Sequence, residues 1–465
     1  KIFLITQTDF ENVLSQYCTL KEEVATALSE LEKELAVKDS VKGKEEKTQT
    51  EAMLERVMTE APITKIVAVI LRHALENRAS DIHIEPIEEK VKVRFRVDGA
   101  LYTGLVLPKA IQPAVASRIK ILSNLKIDEI RIPQDGRFHS VIDNKKIDFR
   151  VSTFPTSFGE KVVLRLLDPS VGLMTFEKLG LEGLNLKRMR EAINKPFGMI
   201  LITGPTGSGK STTLYAILQE LNEESVNIVS LEDPVEYNIE GVNQSQTKPE
   251  IGYTFASGLR SILRQDPDII MVGEIRDSET ANLATHAALT GHIVLSTLHT
   301  NDAIGVVPRL IDMGVQDFLI PSSLNLSIAQ RLLRRLCSDC KKAMEAPPKI
   351  KAIIQKEIDQ FSEEMKKDLK DLDLKNIKIW QAPGCEYCVK KGTKGRVAIF
   401  EALAMTTELE KIIVDGPTES KIREEAKRQN MVSLRQDGIV KVLRGLISFQ
   451  EFIEAVEGEQ KEEEK

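Results

Sequence analysis

Residues 198–213 read GMILITGPTGSGKSTT, and the residue types and spacing there point to phosphate chemistry. Gly204, Pro205, Thr206, Gly207, Ser208, Gly209, Lys210 and Ser211 satisfy G-x-x-x-x-G-K-[ST], and Thr212 opens a helix-compatible segment behind them. Glycines at 204, 207 and 209 let backbone N–H groups close around phosphate oxygens, where a Cβ would obstruct the approach. The following helix turns its positive dipole end to the same anion. Lys210 has the reach for β- and γ-phosphates, and the Ser211 hydroxyl is a ligand for Mg²⁺. Met199 to Thr203 is an apolar run of buried-strand length. Strand, loop and helix together describe a nucleotide-binding core.

Three further stretches carry what hydrolysis of a bound nucleotide needs. In SLEDPVE, Glu232, Asp233 and Glu236 stand just past a buried strand. Ile269 to Gly273 is an apolar strand followed by Glu274, similar to a Walker B whose usual Asp is displaced. His292 and His299 bracket another strand, IVLSTL. Strand ends of an open parallel sheet converge on the edge where such sheets place their ligands. That joint placement raises both histidines above ordinary structural ones. A separate group is Cys337-x-x-Cys340 with Cys385-x-x-Cys388, while Cys18 stands alone. Two such pairs suit a four-thiolate Zn²⁺ site, although residues 341–384 between them exceed the usual spacing. Disulfides are the rival reading, disfavoured where cytosolic thiols stay reduced. Four thiolates leave no open position for water, so the zinc is structural rather than catalytic.

The elements that must position these groups follow from the pattern along the chain. At 465 residues, 42% hydrophobic and 29% charged, the composition suits two to four globular domains. No run of 18 apolar residues and no signal peptide is present, and the charge of −6 argues against a general nucleic-acid surface. The chain begins at Lys1 rather than Met, so a natural start further upstream is expected. Residues 1–35 contain an amphipathic helix with Leu14, Tyr17, Leu20, Val24, Leu28, Leu31 and Leu35 at spacings of three and four, either a coiled-coil seam or a helix on its own domain. Residues 36–52 read as a linker. From 53 to 180 a mixed α/β domain is expected. Its helix starts near Pro62, its strand VKVRFRV (91–97) turns at Asp98-Gly99, and its strand 147–151 alternates apolar with charged residues. Arg137 and Arg150 sit there on a strand end or a polar face, where solvated arginines are the ordinary reading. Residues 181–336 alternate strand and helix, with strands at 199–203, 228–232, 269–273 and 293–297. This predicts a parallel sheet covered on both faces. A tetracysteine subdomain at 337–400 follows, with 341–384 as a surface insertion. A helical region at 401–465 ends in a disordered acidic tail.

These motifs resemble the secretion ATPases of bacterial type II secretion and type IV pilus assembly, the GspE/PilB branch. The resemblance covers about residue 60 to the C-terminus. It rests on RASDIHIEP (78–86), FRVDG (95–99), PQDGRF (133–138), RVSTFPTSFGEKVVLRLLD (150–168), the phosphate loop, SLEDPVEY (230–237), LRQDPDIIMVGEIRD (263–277), ALTGHIVLSTLHTND (288–302) and the cysteine pairs. It implies a RecA-like P-loop ATPase domain preceded by a PAS-like α/β domain, with a zinc-binding, mostly helical C-terminal region. It also implies a homo-hexamer that uses ATP and Mg²⁺. By the same resemblance Glu232 orients or deprotonates the attacking water, and Glu274 holds Mg²⁺ through water. His292 and His299 sense or position the γ-phosphate, while Arg137 and Arg150 act as arginine fingers or sensors toward a neighbouring subunit. The family's zinc-bearing members drive assembly or secretion rather than retraction. The resemblance therefore implies a cytoplasmic motor, peripheral at the inner membrane, that acts on a platform protein. Pilus assembly is preferred over type II secretion. The front end departs from the pattern, since only a helix and linker precede residue 53 where the family has a docking domain. A nucleic-acid translocase would need a basic, aromatic-lined channel, and 5% aromatic residues with no Lys/Arg block beside the motor motifs disfavour it. A nucleotide-gated scaffold would have lost Glu232, Glu274 or the arginines, and all are present.

Overall fold

The computed structural model describes residues 49–457 except 98, 143–144, 168–173, 371–375 and 389, together with Val24, Ala25 and Ser29. Apart from Val24, Ala25 and Ser29, the amphipathic segment within 1–35 lies outside the described residues, as do nearly all of the linker and the acidic tail. The chain divides into two compact units, Lys1–Pro169 and Ser170–Lys465.

The first unit is one antiparallel sheet with helices on one face. Its strands are β1 (Asp81–Pro86), β2 (Lys90–Val97), β3 (Ala100–Pro108), β4 (Gln134–Ile142), β5 (Lys145–Thr156) and β6 (Gly159–Leu167), in spatial order β3-β2-β1-β6-β5-β4. Alternation decides the two faces. Ile82, Ile84, Val91, Val93, Phe95, Ile147, Phe149, Val151, Val162 and Leu164 are buried in one core with Ile63, Ile66, Val67, Ile70 and Leu71 of the helix Gln49–Glu76. That helix begins well before Pro62, which lies inside it rather than near its first turn. The opposite face carries ion pairs. Asp81 pairs with Arg165 (3.0 Å) and Arg96 (3.4 Å), and Glu85 with Lys161 (2.9 Å) and Arg94 (3.2 Å).

The second unit is built on a seven-stranded sheet: β7 (Gly198–Thr203), β8 (Ile228–Glu232), β9 (Val242–Gln246), β10 (Ile269–Val272), β11 (Ile293–Leu298), β12 (Leu324–Leu336) and β15 (Thr393–Ala404), in order β15-β12-β7-β11-β10-β8-β9. All neighbours are parallel except β12 and β15. The four expected strands are its centre, and the continuous apolar runs conceal a period of two. Met199 and Leu201 join one core with Leu231, Ile270, Val272 and Val294, while Ile200 and Ile202 join the other with Ile228, Ile269, Met271 and Leu295. Both faces are therefore covered.

Two expectations are corrected here. The sheet is mixed rather than parallel, because β15 returns from beyond the cysteines to pair antiparallel with β12. Nor is 341–384 a mere surface insertion. A small hairpin forms between β13 (Lys342–Glu345) and β14 (Lys378–Gln381). Between them Ile354, Ile358, Phe361 and Met365 enter a core with Ile399, Ile439, Val442 and Phe452. Burial of apolar side chains at about 1.5–3 kcal/mol each holds this region on the distal end of β12 and β15.

Candidate functional site

The phosphate loop leaves β7 at Thr203 and enters the helix Lys210–Leu221. Gly204 has φ +142°, and a Cβ there would come within 2.5 Å of the Gln330 carbonyl oxygen on β12. Only glycine fits. β12 also braces the loop from behind. Gln330 Nε2 donates to the Ser208 carbonyl (2.7 Å), and its Oε1 accepts from Thr213 Oγ1 (2.7 Å). Pro205, Thr206, Gly207 and Ser211 are exposed at the mouth, and Thr212 is half-buried. Ser208 Oγ is buried without a hydrogen-bond partner, an open valence inside the loop. Lys210 folds across the loop and donates to the carbonyls of Gly204 (2.7 Å) and Pro205 (3.1 Å). Burial lowers its pKa, with nearby Glu274 opposing the shift and Arg331 adding to it. A cationic lysine resting on two carbonyls, exposed loop amides and a helix N-terminus fit a polyphosphate and its Mg²⁺.

Parallel strands bring their C-terminal ends to one edge. Glu274, two residues past β10, is 14% exposed and faces His299 Nε2 (3.3 Å) and Arg276 (2.6 Å). His299 is half-exposed just past β11. The end of β11 is tied to the start of the loop, since the Thr300 N–H donates to Thr203 Oγ1 (2.7 Å) and that hydroxyl donates to the Thr300 carbonyl (2.9 Å). Lys210, Glu274 and His299 thus share one edge.

Two sequence-predicted residues depart from their expected arrangement. His292 precedes β11, so it lies at the opposite edge from the phosphate loop. Seven steps of about 3.3 Å each put roughly 23 Å between the two histidines. Its backbone carbonyl accepts from Gly198 N–H at the start of β7, and its Nδ1 donates to the Ala287 carbonyl (2.9 Å). Within this chain it does not meet the phosphate loop, which corrects its expected place. Glu232 does lie at the right edge, but its carboxylate turns inward. At 4% exposure it accepts from Tyr215, from Ser230 Oγ (2.7 Å) and from Gln244 Nε2 (3.0 Å). Burial raises its pKa and these three donors oppose the rise. Its acceptor sites are spent on the helix behind the loop and on strands β8 and β9.

In the first unit Arg137 and Arg150 are cross-strand partners on β4 and β5, and Arg150 in turn opposes Arg165 on β6. The β4–β5 pairing therefore places both arginines side by side on the sheet face that carries the ion pairs.

Cys337, Cys340, Cys385 and Cys388 converge, with all four Sγ within 4.8 Å of one another. Cys337–Cys385 is 3.8 Å, Cys340–Cys388 3.9 Å and Cys385–Cys388 3.7 Å. A tetrahedron with metal–sulfur bonds of about 2.3 Å has edges of about 3.8 Å, so the spacing fits a bound Zn²⁺. Burial opposes ionisation of Cys388, yet N–H donors from Cys385 (3.1 Å) and Gly392 (3.3 Å) bring its thiol down to about 6.

Sequence reasoning passed over Gln330, Arg331, Tyr215 and Glu401. A signal was present for three of them. Gln330-Arg331 interrupts the apolar run of β12, and Glu401 interrupts VAIFEALA of β15.

Fold and site together define a RecA-like P-loop nucleoside triphosphatase. Residues 57–454 match the family of type II/IV secretion system proteins, and the chain belongs to that family. It is 43% identical over 455 residues to the type IV pilus assembly ATPase PilB of Myxococcus xanthus, covering 97% of this chain and 78% of that protein. It is 46% identical over 407 residues to the type II secretion system ATPase E of Vibrio cholerae, covering 88% and 78%. A crystal structure of the pilus retraction motor PilT with bound ADP superposes with a TM-score of 0.56 at 25% identity, over 86% of this chain and 99% of that one. The chain is an ATPase that uses ATP with Mg²⁺.

Proposed function

We propose that this ATPase is a motor for type IV pilus assembly, working as a homo-hexamer on an inner-membrane platform protein from the cytoplasmic side. The observation that carries this reading is the 43% identity to PilB of Myxococcus xanthus over 97% of this chain, in a protein that brings Lys210, Glu274 and His299 to one sheet edge. Type II secretion is the second reading, favoured by 46% identity to the Vibrio cholerae secretion ATPase. Among the described residues no helix is long and apolar enough to cross a membrane, so attachment through a partner is expected. The likeness to PilB and to the type II secretion ATPase outweighs the nucleic-acid translocase reading.

Lys210 exchanges its two carbonyl acceptors for β- and γ-phosphate oxygens when ATP enters, and the loop amides cradle the same oxygens. Ser211 and Glu274 would hold Mg²⁺, which would supply charge neutralisation at the phosphates of the bound nucleotide. Because Glu232 is buried among three donors, Glu274 is the better-placed carboxylate to orient the attacking water, with His299 beside it. Glu232 acts through Tyr215 by setting the helix behind the loop. Arg137 and Arg150 offer paired guanidinium groups to a neighbouring subunit's γ-phosphate. The four cysteines would hold a structural Zn²⁺, their Sγ atoms all lying within 4.8 Å of one another.

ATP turnover per chain across a dilution series tests this. Specific activity is expected to climb with protein concentration. Glu274→Gln should lower kcat by about a hundredfold or more with ATP still bound, and Arg137→Ala should remove the concentration-dependent gain. Flat activity with concentration sinks the shared site. In the host, loss of surface pili on gene deletion supports the first reading, and loss of secreted enzymes the second.

A further inference from the structure

The loop leaving β11 runs His299-Thr-Asn-Asp-Ala303, and each residue is held by another part of the fold. His299 faces Glu274, and Thr300 is bonded to Thr203 on β7. The Asn301 carbonyl accepts from Arg331 Nη2 on β12 (2.6 Å), and Asp302 pairs with Arg423 on the helix Glu419–Arg428 (3.4 Å). Ala303 is held at both ends. Its N–H donates to Glu401 Oε1 on β15 (2.8 Å), and its carbonyl accepts from Ser327 Oγ on β12 (2.9 Å).

Glu401 is the costly member. It is a carboxylate buried in an apolar strand, and nothing in the nucleotide chemistry uses it. Burial pushes its pKa up, while backbone N–H groups of Ala303 and Leu434 and the nearby Arg331 pull it back. Its second oxygen accepts from Leu434 N–H (3.1 Å), the first residue of the helix Leu434–Leu443. An anion there offsets its desolvation only by bridging that helix N-terminus to the Ala303 amide.

We propose that Glu401 is a positioning residue for ATP hydrolysis: by clamping the 303 amide to the start of the helix Leu434–Leu443, it fixes the 299–303 loop so that His299 stays against Glu274. Every peptide between His299 and Ala303 is pinned, and the Glu401 bond closes the far end of that series. The clamp thereby links the phosphate edge to the C-terminal helices. It rests on the reading of Glu274 and His299 as part of the hydrolytic site.

The test is steady-state ATP turnover of the full chain carrying Glu401→Gln, His299→Ala or both, with Mg·ADP affinity measured alongside. Glutamine keeps the shape and one acceptor oxygen but sets an NH₂ against the other backbone N–H, which opens half the clamp. For Glu401→Gln, kcat is expected to fall about tenfold, with KM and ADP affinity within about twofold. Added to His299→Ala, it should cost less than about twofold more, because both act through one contact. Ser327→Ala, which frees the carbonyl of Ala303 alone, should give a smaller loss with the same non-additivity and serves if Glu401→Gln does not fold. Wild-type kcat in Glu401→Gln, or losses that multiply in the double variant, overturns the clamp alone. Wild-type turnover in His299→Ala overturns the site reading and the clamp with it.

Discussion

Tyr215→Phe removes one oxygen atom from the interior of the ATPase unit and leaves the ring in place. That hydroxyl donates to Glu232 Oε2 and accepts from the Glu236 N–H (3.2 Å). The variant therefore takes a donor from a buried carboxylate whose other oxygen already has Ser230 and Gln244. A hydrogen bond to a charged group contributes about 1.5–3 kcal/mol and a neutral one about 1 kcal/mol, so the loss is about 3 kcal/mol when Glu232 is ionised. At about 2 °C per kcal/mol for a unit of this size, Tm falls about 6 °C. The sign with pH follows from Glu232. Its folded pKa is raised by burial, so its contribution to stability is present in acid and is lost as pH rises through the folded pKa. Removing the Tyr215 donor raises that pKa further. The variant should be penalised most above the folded pKa of Glu232, where the carboxylate is ionised, and the gap should narrow as pH falls below it, where the neutral acid needs fewer donors. Thermal melts on both sides of that pKa, without nucleotide, measure it. A shift that is constant with pH, or larger in acid, would refute the reasoning.

Other outcomes follow from the same geometry. Cys385→Ser should remove about one equivalent of zinc per chain by elemental analysis and lower Tm, while Mg·ADP binding stays within about twofold. Loss of nucleotide affinity together with the metal would contradict a separate structural site. Gly204→Ala should abolish nucleotide binding in a titration with fluorescent ADP, because its Cβ meets the Gln330 carbonyl at 2.5 Å. His292→Ala should leave turnover within about twofold, as its side chain bonds Ala287 at the far edge of the sheet. A hundredfold loss there would bring His292 back to the site.

Much of the site was readable from local pattern. The phosphate loop is continuous in sequence, so its glycines, Lys210 and Ser211 announce themselves by spacing. Strand alternation in 91–97 and 147–151 predicted which side chains enter the first unit's core, and Val91, Val93, Phe95, Ile147, Phe149 and Val151 are buried accordingly. The two cysteine pairs predicted their own convergence, because no other arrangement satisfies four thiolates around one ion. The histidines show the limit of that logic. Bracketing a strand puts two residues at opposite ends of it, and in a parallel sheet only the C-terminal one reaches the ligand edge. Glu232 shows another limit, since the motif fixes which strand end it occupies but not whether its carboxylate turns outward or toward Tyr215.

What the sequence determined alone is therefore whatever is encoded within a turn or two of the chain: the phosphate loop, the periods of strands and helices, the acidic strand ends and the paired thiols. Tertiary structure decided the strand order, and with it every contact between distant residues. β12 and β15 look like further apolar runs in sequence, yet their places beside β7 put Gln330 behind the phosphate loop and Glu401 against the amide of Ala303. The reason is physical. Hydrophobic burial depends on which side chains alternate and is nearly indifferent to which strand lies next, so the pattern specifies a buried strand without naming its neighbour. The neighbour is chosen by the sum of long-range pairings, and that choice places the polar side chains that brace the site.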